Sequence, residues 1–189
     1  MVLGGLLLSR MIPQTVFSRY VSSVFEVSHT TTGIAYGALA LGFIISAPLW
    51  ARIFENESLR GTLVKLLFIV FGCGLVVIVA AVTRNVDVFI GLYVVWGILL
   101  GGTQPIVVAT ISRIANRTNQ GVVLGVSQSV SQFSSISGIA LGAMFGQMYG
   151  LEKTYFFVFS AYLLTSIFIG ITARYLPKRL AFMSDDRFN

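Results

Sequence analysis

A single histidine, a single cysteine and seven acidic residues are spread through the 189 positions, and each scarcity closes off a class of function. The one cysteine, Cys73, lies in an apolar run, which excludes a disulfide framework and a CxxC redox pair and leaves a small buried hydrophobe. The one histidine, His29, sits in a polar stretch among threonines, so no imidazole metal site, haem ligand pair or Ser-His dyad is available inside a membrane. The carboxylates Glu26, Glu55, Glu57, Asp87, Glu152, Asp185 and Asp186 fall at the ends of apolar runs, between them or in the C-terminal tail. No buried acid is at hand to carry a proton. With neither a nucleophile and base nor a metal ligand set at depth, the chain is not read as an enzyme, and no cofactor and no metal are expected. Charge of either sign is scarce as well: 11% of residues are charged and 56% hydrophobic, against an apolar share of about half in soluble domains. A soluble fold of this length would need far more polar surface. The net charge of +6 sits on single residues between apolar runs and forms no stripe or patch, so nucleic acid is not an expected partner.

What is present is a series of apolar runs, each close to the span of about 20 residues that crosses a hydrocarbon core. They predict an all-α membrane protein of about six transmembrane helices, Val2 to Val24, Thr32 to Trp50, Thr62 to Val82, Val86 to Ile111, Val122 to Tyr149 and Thr154 to Tyr175. Residues 1–176 form the bundle and 177–189 a basic cytoplasmic tail. One set of connections carries Arg52, Arg60, Lys65, Arg113, Arg117, Arg174, Lys178, Arg179 and Arg187, the other only Arg84 and Lys153. Positive charge is retained on the cytoplasmic side, which predicts a multi-pass protein of the cytoplasmic (inner or plasma) membrane with both termini inside and membrane lipid as its surroundings. MVLGGLLL lacks the basic region of a signal peptide, and the missing basic flank predicts that the first helix is clipped at its cytoplasmic end.

Two stretches carry the functional signal. GILLGGTQP places Gly97, Gly101 and Pro105 at four-residue spacing, and the next run continues with Gly138, Gly142 and Gly146. Side chains at i and i+4 share a helix face, so these residues form flat stripes for close helix packing in lipid. Beside them stand Thr103 and Gln104, before a proline that frees a carbonyl, and Gln128, Ser131, Gln132 and Ser135. These polar groups either bond between helices or wall a cavity that takes a substrate. Arg10 lies about 15 Å along the first helix, at mid-membrane depth, with Gln14 one turn on and a kinking Pro13 between them. An arginine there marks a functional cavity unless it snorkels to the headgroups. Arg19, nearer the outer surface, is a snorkelling anchor.

GILLGGTQP, with its glycines before a proline, and QGVVLGVSQSVSQFSSISGIALGAMFGQMYG, with polar positions followed by a glycine stripe and a Tyr-Gly turn, resemble the tenth and eleventh helices of the major facilitator superfamily. SAPLWARIFENES stands where that family has the second copy of its Gly-x-x-x-Asp-Arg-x-Gly-Arg loop. The resemblance spans nearly the whole chain and is to the C-terminal six-helix half of bacterial drug/proton antiporter-like transporters. Departures accompany it: Ala51, Glu55, Asn56 and Ser58 replace the loop's Gly, Asp, Arg and Gly. Ile139 stands where proline is usual, and Tyr93 where related sequences place arginine.

The resemblance implies a 3+3 inverted repeat, in which Pro13 and Pro105 occupy related places in the first and fourth helices. It implies that the coupling acids belong to the other half. The expected function is therefore part of a secondary active transporter, a proton-coupled multidrug or small-solute efflux system. A small organic substrate would enter a cavity of Arg10, Gln14, Thr103, Gln104, Gln128, Ser131 and Gln132. The expected partner is an N-terminal six-helix half or a second copy of the chain. The competing expectation is a non-transporting membrane interaction protein or an inert truncated remnant, its glycine stripes binding another bundle. The helices of Gly33 and Gly138 are expected to meet the second half, and the Phe-rich third and sixth to face lipid.

Overall fold

The computed structural model describes residues 2–115 and 119–175. Arg117 and the basic tail 177–189, which carry part of the charge bias, lie outside the described residues. The chain runs α1 (Val2–Met11), a 3-10 turn (Ile12–Thr15), α2 (Phe17–Val24), α3 (His29–Phe54), α4 (Leu59–Val82), α5 (Val86–Leu100), α6 (Thr103–Ile114), α7 (Gln120–Tyr149) and α8 (Leu151–Tyr175), with no strand among the described residues. His29–Phe54, Leu59–Val82, Val86–Ile114 and Leu151–Tyr175 are each long and apolar enough to cross a membrane. Of the expected crossings the other two differ for physical reasons. The first is interrupted by the turn around Pro13, and α7, although 30 residues long, carries glutamines and serines along its length.

Helix boundaries extend past the expected ones where a polar cap or a glycine sets them. Ser28 accepts a hydrogen bond from the Thr31 amide, so α3 starts at His29 rather than Thr32. Ser58 accepts one from the Gly61 amide, so α4 starts at Leu59 rather than Thr62. A hydroxyl at this position satisfies one of the amides that a helix start leaves without a partner. Between α7 and α8 the expected connection GLEK shrinks to Gly150 alone. Its φ of 91° lies in a region open to glycine, and the chain reverses within one residue.

The fourth rod breaks at Gly101 and Gly102, just before the proline expected to mark the break, and Pro105 falls in the first turn of α6. There its missing N–H costs little. A Cβ at Gly102 would collide with the Trp50 side chain of α3, whose indole N–H donates to the Ile98 carbonyl at 2.6 Å. The bend is thus set by two glycines and a tryptophan from another helix.

Packing proceeds chiefly in pairs: α3 lies on α5, α4 on α8, and α1 on α7. The first and third pairs are glycine contacts. Cβ atoms at Gly42 and Gly97 would meet the carbonyls of Val94 and Leu39, so the two backbones of α3 and α5 touch directly. In α7, Gly138 faces the Leu8 carbonyl at 2.7 Å from a would-be Cβ, Gly142 the Ile12 carbonyl and Gly146 the Val16 side chain at 2.6 Å. One end of the bundle is filled by Phe17, Tyr20, Phe89, Tyr93 and Tyr155, with Trp96 and Tyr162 continuing the cluster toward the middle.

Candidate functional site

The break at Pro13 places the two polar residues of the first rod on either side of a turn. Arg10 lies in the last turn of α1, and Gln14 in the 3-10 turn. Both line one pocket with Pro13, Phe17, Tyr36, Leu39, Tyr93 and Trp96. Its cavity volume is about 20 Å³, enough for one oxygen-sized group, and it opens past the exposed Gln14 and Tyr36. The Gln14 amide donates to the Tyr36 hydroxyl at 3.0 Å, joining the first rod to α3 across the mouth. The Arg10 guanidinium carbon stands 5.2 Å from the centroid of the Phe43 ring, within cation–π range. Its Nε is buried and has no hydrogen-bond partner among the described residues. A cation held in an apolar bundle without a carboxylate is costly, by about 3 kcal/mol on insertion scales, and such groups mark pathways and binding sites.

The other sequence-predicted residues are distributed around this pocket rather than gathered in it. Thr103 is buried and its hydroxyl donates to the Leu100 carbonyl at 2.9 Å, while Gln104 is half-buried. Ser131 is buried, its hydroxyl given to the Ser127 carbonyl at 2.8 Å. Gln128 and Gln132 lie exposed on α7, N-terminal to the glycine stripe, with exposed Phe133 and Ile136 further round the same helix. Gly97, Gly101, Gly138, Gly142 and Gly146 sit at the backbone contacts of α3 with α5 and of the first rod with α7. Pro105 is exposed and lines a second, larger pocket. That pocket, of about 420 Å³, lies where α3 meets α6 and includes Arg52, Glu55, Thr62, Gly101 and Arg113. Arg113 donates to the Glu55 carbonyl at 3.3 Å.

Sequence reasoning passed over Tyr36 and Trp96, which line the Arg10 pocket, and Phe43, whose ring faces the guanidinium. It also passed over the buried Tyr93 and Tyr155 hydroxyls, 2.7 Å apart. A signal existed: a tyrosine hydroxyl or indole N–H in the middle of an apolar helix must find a partner, and each such residue therefore points to a contact.

Comparison with known proteins adds a family. A family model described as Major Facilitator Superfamily matches residues 2–186. Among curated proteins the chain is similar to the "Multidrug resistance protein MdtG" of Yersinia enterocolitica, 25% identical over 142 residues that cover 73% of this chain and 33% of that protein. Proteins of the same name from Escherichia fergusonii and Enterobacter lignolyticus are each 26% identical, covering 77% and 79% of this chain and 36% and 37% of theirs. The chain thus spans about a third of the length of the curated relatives it matches. No solved structure matches it significantly.

Proposed function

Because the chain belongs to the Major Facilitator Superfamily, a multi-pass membrane transporter family, we propose that it is one six-helix half of a proton-coupled efflux transporter for small organic solutes. The observation that carries this reading is the Arg10 pocket: a cation without a carboxylate partner among the described residues, beside a helix interruption, opening between two helices with an amide and a phenol at its mouth. Interrupted helices near the bilayer midplane are where transporters of this kind build their sites. Interruptions in the first and fourth rods, at Pro13 and at Gly101 and Gly102, support a 3+3 repeat. In this reading all six rods cross the inner membrane, both termini are cytoplasmic, and Gln104, Gln128 and Gln132 extend the cavity wall once an N-terminal half, or a second copy, closes over it. The relatives' name supports drug-like solutes as the substrate class.

The test is proton-driven uptake into liposomes, with the chain alone and with an N-terminal half supplied in trans. Transport only by the pair is expected. Uptake by the chain alone would refute the half-transporter reading, and none by either preparation would refute transport. The exposed Phe133 and Ile136 beside the glutamines favour a second reading, in which α7 only docks another bundle and nothing is moved.

A further inference from the structure

Three buried polar atoms lack a hydrogen-bond partner among the described residues: Arg10 Nε, Trp96 Nε1 and Tyr162 Oη. They come from three helices, α1, α5 and α8. Arg10 and Trp96 wall the same pocket; the Tyr162 ring stands edge-on to Trp96 with centroids 6.4 Å apart, and its hydroxyl lies beside the Trp96 indole N–H without closing a hydrogen bond of full geometry. Trp96 is 3% exposed and Tyr162 fully buried. Two of the three atoms can only donate, and the hydroxyl can donate or accept. Leaving such groups bare in an apolar interior is rare in native proteins. The ion pairs among the described residues are Lys65 with Glu57 and Arg84 with Glu152, so none of the described carboxylates pairs with Arg10.

A pocket walled by two donor side chains, one of them charged, is complementary to an oxygen that carries negative charge. Charge-assisted acceptance from Arg10, with a second bond from the Trp96 indole, fits a carboxylate or sulfonate oxygen. The cavity of about 20 Å³ admits little beyond that oxygen, so the rest of the ligand must lie in the mouth, against the rings of Phe17 and Tyr36. We propose that this pocket binds the oxyanion of an aromatic or amphiphilic organic acid, which makes organic anions the substrate class of the transporter. The assignment of substrate rests on the transport reading above; the binding itself does not. A single water could bridge the same atoms, but it would give the pocket no preference for charge.

The probes are naphthoate, naphthalenemethanol and naphthylmethylammonium, which share a ring and differ in charge. Their binding to the full chain in phosphatidylcholine nanodiscs is measured by equilibrium dialysis. Naphthoate is expected to bind at least about tenfold tighter than the other two, as one charge-assisted hydrogen bond would give. Arg10→Gln abolishes that preference and Arg10→Lys keeps it. Trp96→Phe retains the ring, removes the N–H and weakens naphthoate about three- to tenfold. Binding of the uncharged alcohol, unchanged within about twofold, reports an intact fold in each variant. Equal affinity for the three probes, or a Trp96→Phe variant that binds naphthoate as well as the parent, would overturn the proposal. Selective naphthoate binding by a chain whose two-half complex moves no solute would leave the site standing and the transport reading refuted. Solute transport without naphthoate selectivity would do the reverse.

Discussion

Gly142 of α7 lies directly against the Ile12 carbonyl of the first rod, at the point where that rod leaves its α-helical path. No side chain fits between them. Gly142→Val is therefore expected to push the two rods apart and destabilise the bundle by about 1 to 3 kcal/mol, the usual cost of overpacking. Unfolding in a detergent titration measures it. The same change at Gly121, which has nothing within 4 Å of a would-be Cβ, should cost far less. Equal costs at the two sites would show that the contact contributes nothing.

The buried Tyr93 and Tyr155 hydroxyls share one hydrogen bond of 2.7 Å. Removing either partner leaves the other bare, so Tyr93→Phe alone is expected to cost about 1 to 3 kcal/mol. The double variant, with Tyr155→Phe, should recover most of that loss, because no orphan remains. A double-mutant cycle by thermal melting in detergent decides it; additive single costs would mean that the two hydroxyls are not coupled.

Arg84 Nη1 lies 2.8 Å from Glu152 Oε1, which brings the α4–α5 connection and the start of α8 to the same end of the bundle. That hydrogen bond raises the Arg84 pKa above its ordinary value. Single cysteines introduced at positions 29, 84 and 152 should react with a membrane-impermeant maleimide added outside. Cys73 is fully buried and serves as an internal blank. Reaction from the cytoplasmic side alone would reverse the orientation.

Replacing both Gln128 and Gln132 by Leu separates a cavity wall from a docking surface. If the amides meet solute, assembly with the N-terminal half stays intact and uptake is lost. If they bond to the partner, assembly weakens by about 0.6 to 2 kcal/mol per lost hydrogen bond. Complex yield and uptake measured on the same preparation tell the two apart; normal uptake with poor assembly would remove both glutamines from the site.

The interruption of the first rod was legible from Pro13, because a proline in a helix interior deletes a hydrogen bond wherever it stands. The fourth rod was legible only in outline. Pro105 pointed to a break, but its position depends on Trp50, which the sequence places fifty residues away and the fold brings over Gly102. For the aromatic cluster the sequence signalled only that the hydroxyls and indole N–H need partners, not which helices supply them. A helix in lipid is apolar on every side, so no periodicity separates Tyr93 and Trp96 in the core from Val95 on the surface. Arg10 stood out from its charge alone, yet its neighbours Tyr36, Phe43 and Trp96 come from α3 and α5, and only the packing of those helices assembles them.

The inward direction of the α7 glycines also constrains whatever binds there. Gly138, Gly142 and Gly146 are consumed within the chain, and the opposite side of the same helix presents the bulk of Val122, Val126, Phe133 and Ile136. In knob-and-hole terms this chain offers knobs. A docking helix must then bring the holes, alanines, serines or glycines at four-residue spacing on its own surface, and a second α7 in register would meet it knob against knob.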